Sequence, residues 1–149
     1  MRLGTLFLGF LTALAGLAAD PASDFRFSII GDRTGGGRQE IYAQTWQEVD
    51  RFDPEFVINV GDTIQGGTDT TAEAEWRQIR PFLEKFRRFP LYLVPGNHDT
   101  NQDVPDDADS YEPWQRVFGT PYYAFNYGRV HFLVLDSVMW TGDGYHGAL

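Results

Sequence analysis

The chain alternates short apolar runs with amphipathic stretches, and each apolar run ends in a turn carrying an aspartate or its amide. Phe25-Arg26-Phe27-Ser28-Ile29-Ile30 leads into Gly31-Asp32, and Phe56-Val57-Ile58-Asn59-Val60 leads into Gly61-Asp62. Leu91-Tyr92-Leu93-Val94 leads into Pro95-Gly96-Asn97-His98-Asp99, and Val130-His131-Phe132-Leu133-Val134-Leu135 into Asp136-Ser137. Runs this short, rich in aromatic and β-branched residues and nearly continuous in their apolarity, predict strands covered on both faces. After Gly35-Gly36-Gly37, the residues Ile41, Tyr42, Thr45, Val49 and Phe52 recur at helical spacing. A second helix is predicted from the stripe Ala72, Trp76, Ile79, Leu83 and Phe86, with Thr70 and Glu73 as a capping box at its start. Pro81 falls within that stripe and, lacking an N–H, is expected to kink or interrupt the helix near Arg80. Tyr122 to Tyr127, then Gly128-Arg129, then the Val130 run predicts a β-hairpin. Strands alternating with helices in this way predict an α/β fold made of parallel βαβ units.

That architecture gives the turns their interest. In parallel α/β sheets, ligands bind beyond the carboxyl ends of the strands, which is where Asp32, Asp62 and Asn97 fall. Each has a glycine directly before it, so the backbone can turn sharply. A turn has use for Gly96 and Asn97 but not for the His98-Asp99 pair that follows.

Composition narrows the possible partners. The 149 residues suit one domain, and 42% apolar with 22% charged residues is an ordinary globular balance. A formal charge of −9 argues against binding a nucleic-acid backbone, yet leaves phosphate esters open if metal ions invert the local field. The first residues read differently. Arg2, an apolar run from Leu6 to Ala15 and the small exit residues Gly16, Ala18 and Ala19 predict a signal peptide over residues 1–19, hence an exported, periplasmic or extracellular protein with no membrane span after cleavage. The run is shorter than the ~20 residues that span a bilayer. There is no cysteine, so the core must hold the domain without disulfides.

The three loops together resemble those of the calcineurin-like metallophosphoesterase superfamily, which read Asp-x-His, Gly-Asp-x-x and Gly-Asn-His-Asp or Gly-Asn-His-Glu. The resemblance covers about Phe25 to Asp136 and is most specific at Gly96 to Asp99. It implies a metallophosphoesterase-type sandwich that hydrolyses phosphate esters with a metal-bound hydroxide at a dinuclear site. Its cofactors would be two divalent ions, manganese, iron or zinc. Asp32 resembles the first-loop ligand of one ion, Asp62 the carboxylate bridging both, and Asn97 the amide-oxygen ligand of the second. His98 is similar to the family's non-ligand histidine facing the leaving group, with Asp99 as the neighbour that orients it.

Departures from the pattern carry expectations of their own. The first loop reads Asp32-Arg33-Thr34, with threonine where the family has a histidine ligand. Related purple acid phosphatases supply a tyrosine three residues after the second-loop aspartate, a position held here by Gln65. The first metal would then be bound weakly, or water or Gln65 would complete its shell, and Arg33 is either a phosphate contact or a solvated loop residue. The family's further histidine ligands, one lone and two in a Gly-His-x-His loop, have no counterpart before Leu149. Residues 24–149 are therefore expected to be the N-terminal part of a domain whose C-terminal half is missing, with little or no activity alone. A bare edge on the last strand would favour association.

His131 is read as a core or sheet-face residue, and neither it nor His146 as a ligand. Asp103, Asp106, Asp107 and Asp109 read as a solvated loop, the glycine run as a connection into the first helix, and Trp114, Phe118 and Tyr122 as core. Two other functions remain beside the phosphoesterase: an exported binding module with a degenerate metal site, and a nucleotide binder suggested by the glycine run.

Overall fold

A computed structural model describes residues 24–147, so the expected signal peptide lies outside the described residues. Three strands, β1 (Phe27–Ile30), β2 (Phe56–Asn59) and β3 (Leu91–Leu93), form a parallel sheet in the order β1-β2-β3. Helix α1 (Gln39–Phe52) connects the first pair and α2 (Asp69–Glu84) the second. The βαβ units predicted from the alternating pattern are present, and the architecture is α/β.

The sheet separates two apolar layers. On one face Ile30 and Val57 pack with Tyr42, Trp46 and Val49 of α1, and with Ala72, Trp76 and Ile79 of α2. Tyr111 and Trp114 join this layer from the short helical segment α3 (Asp107–Ser110) and α4 (Glu112–Phe118), Tyr111 lying at their junction. Trp46 and Trp114 are each 1% exposed, and burial of side chains this size stabilises by roughly 1.5–3 kcal/mol apiece. Trp114 and Phe118 are core residues as expected, but Tyr122 is 62% exposed.

On the other face, Phe27 and Phe56 stack at 5.0 Å between ring centroids. The hairpin β4 (Tyr123–Tyr127) and β5 (Val130–Val134) covers them with Phe125, Tyr127 and Phe132. The hairpin forms where predicted, but it is a separate two-stranded sheet, attached by ring contacts and not by the main ladder. The Val130 run is therefore not the edge of the parallel sheet; β1 and β3 are. Coverage on both faces is incomplete as well. Ile29 and Val60 remain 61% and 54% exposed, because the hairpin reaches only part of that face.

Helix boundaries also differ from expectation. In α1 the buried stripe is Tyr42, Trp46 and Val49, while Ile41 and Phe52 face outward at 45% and 44% exposure. Neighbouring helical residues point about 100° apart, and the face carrying the large indole is the one the sheet covers. Helix α2 is capped by Thr68, whose hydroxyl oxygen accepts the Thr71 N–H at 3.1 Å, and not by the predicted Thr70–Glu73 box. The helix also runs through Pro81 to Glu84. The missing N–H removes one bond, but buried Ile79 and the partly buried Leu83 anchor the helix on either side of it. A last hairpin, β6 (Val138–Trp140) and β7 (Tyr145–Gly147), was not predicted.

Candidate functional site

At the carboxyl ends of β1 and β2 the parallel ladder continues into the loops. Val60 N–H donates to Ile30 O at 2.8 Å, Asp32 N–H to Gly61 O at 3.0 Å, and Arg33 N–H to Asp62 O at 2.9 Å. Both aspartates adopt left-handed backbone, Asp32 at φ 52° and Asp62 at φ 54°. Aspartate is among the few residues that visit this region, and strained backbone of this kind clusters at functional sites.

The second and third loops touch backbone to backbone. A Cβ at Gly61 would lie 2.6 Å from Gly96 N, and one at Gly96 would lie 2.1 Å from Asp62 Oδ1. Glycine at position 96 is thus what leaves room for the Asp62 carboxylate. Oδ1 of that carboxylate accepts the His98 N–H at 3.1 Å, tying the second loop to the single 3-10 turn Asn97–Asp99. Asn59, 1% exposed, braces the same loop: its Oδ1 accepts Gly61 N–H at 3.0 Å and its Nδ2 donates to Thr63 Oγ1 at 3.1 Å. The Asn97 carbonyl accepts Tyr145 OH at 2.7 Å and Thr100 Oγ1–H at 3.1 Å, so β7 steadies the turn from outside. Thr100 is fully buried beside it.

Asp99 does not take the place expected of it. Its carboxylate is 0% exposed and turned into the protein, where Oδ1 accepts the N–H groups of Thr63 at 2.9 Å and Ile64 at 3.1 Å. Oδ2 accepts Gly96 N–H at 2.9 Å. Burial pushes its pKa up to about 7, with the Asp62 charge adding and the three backbone N–H groups opposing. With both oxygens engaged in clamping the loops, none reaches the His98 ring. The ring nitrogen Nδ1 instead meets the Gln65 carbonyl oxygen at 2.7 Å and Gln65 Nε2 at 3.1 Å. Gln65 also accepts Gly35 N–H on its Oε1 at 3.2 Å, so its amide spans the first and third loops.

Arg33 is half-buried beside the second loop. Its Nη1 donates to Thr63 O at 2.9 Å and its guanidinium lies 5.6 Å from the Tyr42 ring centroid. Thr34, at the position of the missing histidine, donates its hydroxyl to Asp32 Oδ1 at 3.0 Å. Gly35 and Gly36 take φ of 67° and 90° in the connection into α1.

In the acidic loop, Asp106 caps α3 by accepting Asp109 N–H at 3.0 Å, and Asp107 accepts Trp140 N–H at 2.6 Å, so these two brace the structure. His131 lies exposed on the outer face of the hairpin, its Nδ1 2.6 Å from Asn126 Oδ1, which makes it a sheet-face and not a core residue. His146 is exposed on β7, 3.9 Å from Asp143. Tyr145, Asn59 and Thr100 escaped sequence reasoning. Only the position of Asn59, a polar residue inside an apolar run, signals a role.

Among the described residues there is no group of three or more His, Cys, Asp or Glu that would hold a metal ion. The loops offer two carboxylates and a carboxamide. Asp32 and Asp62 each have one oxygen, Oδ2, outside the bonds just described, and the Asn97 side-chain amide makes no hydrogen bond among the described residues. All are oxygen donors of a kind that could hold a divalent cation.

Comparison with known proteins agrees with this arrangement. The family model of calcineurin-like phosphoesterase matches residues 25–145. The human serine/threonine-protein phosphatase CPPED1 is 34% identical over 135 residues, 81% of this chain and 41% of that protein. Metallophosphoesterase 1 of Ailuropoda melanoleuca is 29% identical over 96 residues, 62% of this chain and 24% of its own length. The chain therefore spans less than half the length of these relatives. With three loops in the family's order at the ends of three parallel strands, and most of its length matched, the chain belongs to the calcineurin-like phosphoesterase family.

Proposed function

We propose that the protein hydrolyses phosphate esters at a dinuclear metal site to which this chain contributes Asp32, Asp62 and Asn97. The observation that carries the reading is the junction of the second and third loops, where Gly96 makes room for the Asp62 carboxylate and His98 N–H holds one of its oxygens. A carboxylate with one oxygen tethered and the other free is suited to bridging. Asp32, on its left-handed backbone, and Asn97 supply the neighbouring donors. Two divalent ions at such a site clamp phosphoryl oxygens and lower the pKa of water. His98 would work beside them: Nδ1 is held at Gln65, which leaves Nε2 free, and a ring protonated at both nitrogens would give its Nε2 proton or a hydrogen bond to the departing oxygen. Asp99, placed in the reacting set by resemblance, acts from inside by holding Thr63, Ile64 and Gly96 in position.

The whole protein is the enzyme, and residues 24–149 are its N-terminal part, with the remaining ligands supplied by segments beyond this chain. Export by residues 1–19 belongs to the same reading. The printed name of the human relative makes phosphoserine and phosphothreonine peptides natural substrates to try beside an aryl phosphate. Asp62→Asn in the whole protein should abolish measurable hydrolysis and reduce bound metal; unchanged turnover and metal content would sink the proposal.

A second reading has its own support. Thr34 replaces a ligand and bonds Asp32, and Gln65 Oε1 already accepts the Gly35 N–H. These would also suit an exported binding module with a degenerate site. Elemental analysis separates the two: two ions per chain support the enzyme, and none after reconstitution supports the module.

A further inference from the structure

Among the described residues no carboxylate touches the His98 ring, yet one stands a single peptide group away. The Gln65 carbonyl oxygen meets Nδ1 at 2.7 Å. The N–H of that same peptide group, carried by Gly66, donates to Glu75 Oε2 at 3.2 Å, and the Gln65 N–H donates to the same oxygen at 2.6 Å. Glu75 sits half-buried on α2, ten residues along the chain from Gln65. Carboxylate, peptide and imidazole form one continuous chain of hydrogen bonds.

Two details decide its sense. Gln65 Nε2 also approaches Nδ1, at 3.1 Å, and would donate to a bare ring nitrogen. A carbonyl oxygen can only accept, however, and a bare nitrogen lone pair at 2.7 Å from it would be repelled. The shorter contact favours the proton on Nδ1, with the Gln65 amide nitrogen then making no bond to the ring. Gly66 then keeps the peptide group in place: its φ is 56°, and a Cβ there would lie 1.9 Å from His98 O. No side chain fits between this peptide and the histidine backbone.

We propose that Glu75 is a positioning residue for His98. Its carboxylate orients and polarises the Gln65–Gly66 peptide group, which holds one proton on Nδ1 and leaves Nε2 as the nitrogen that takes up a second proton from water and passes it to the leaving group. Chains of hydrogen bonds strengthen one another by roughly 10–30% per bond, so the distant charge is felt at the ring. The catalytic consequence rests on the phosphoesterase reading, whereas the hydrogen-bond chain does not.

The test uses the full chain with nitrogen-15-labelled histidine in chelator, at a pH where the ring is neutral. Wild type should show His98 as the Nδ1–H tautomer. Glu75→Gln keeps an acceptor oxygen but removes the charge, and should shift the pattern part-way toward the Nε2–H tautomer; Glu75→Ala should shift it further. An unchanged His98 pattern in Glu75→Gln overturns the proposal, as does a wild type found in the Nε2–H form. The Gln variant is decisive if the Ala variant fails to fold. With manganese and an aryl phosphate, Glu75→Gln of the whole protein should lower kcat about tenfold and leave KM nearly unchanged. A rise in KM at constant kcat would overturn the positioning role. Wild type without turnover, but with the tautomer shift intact, would remove the phosphoesterase reading and leave the chain from Glu75 to His98 standing.

Discussion

Asp99 shows how far a residue's neighbours in sequence can mislead about its contacts. It follows His98 directly, yet its carboxylate belongs to the second loop and to Gly96. This burial has a consequence for pH. The folded protein binds a proton at Asp99 up to about pH 7, whereas the unfolded chain releases it near the ordinary aspartate value of 3.8. Between these values folding takes up a proton, so the stability contributed by this group is present below about pH 4 and is lost as the pH rises through about 7. Urea midpoints measured in chelator should therefore fall more steeply across this window for wild type than for Asp99→Asn. The variant should be less stable throughout, since an amide offers a single acceptor oxygen to three N–H donors. Parallel slopes for the two proteins would contradict the buried carboxylate.

At the scale of elements, the cap of α2 matters because this helix carries Glu75 toward the second loop. Thr68 Oγ1 accepts the Thr71 N–H, and removing such a cap costs about 1 kcal/mol. Thr68→Ala should lower the urea midpoint accordingly, whereas a variant as stable as wild type would show that tertiary packing alone sets the helix start. The helices were legible from their apolar spacing, and the α2 stripe is buried or packed against the core as expected. Their ends were not. The cap depends on which threonine has extended backbone, and the passage through Pro81 depends on Ile79 and Leu83 finding a core.

For the whole molecule, the attachment of β4 and β5 is the notable feature. The hairpin shares no ladder with the parallel sheet and holds to it by aromatic rings, with Phe132 edge-on to Phe27 at 5.6 Å and to Phe56 at 5.4 Å, and by the Tyr123 hydroxyl, which donates to Leu93 O at 2.8 Å. Phe132→Ala should cost about 2 kcal/mol and speed amide hydrogen exchange throughout the hairpin. Equal protection in the variant would mean that something other than these rings holds it. Outward on the same hairpin, Leu133 and Leu135 are 64% and 56% exposed.

What the sequence determined by itself was whatever depends on local chemistry. Periodic apolarity placed the strands, helices and hairpin, and the Gly-Asp and Gly-Asn-His-Asp turns marked the loops at the strand ends, because turn formation and amphipathicity are properties of a few adjacent residues. Tertiary structure decided the partners. That Gly96 yields its space to Asp62, that Asp99 faces the second loop, and that Gln65 and Tyr145 hold the turn around His98 all join residues 33 to 48 positions apart. Hydrogen bonds over such separations follow from how the strands and loops pack, and no spacing along the chain encodes them.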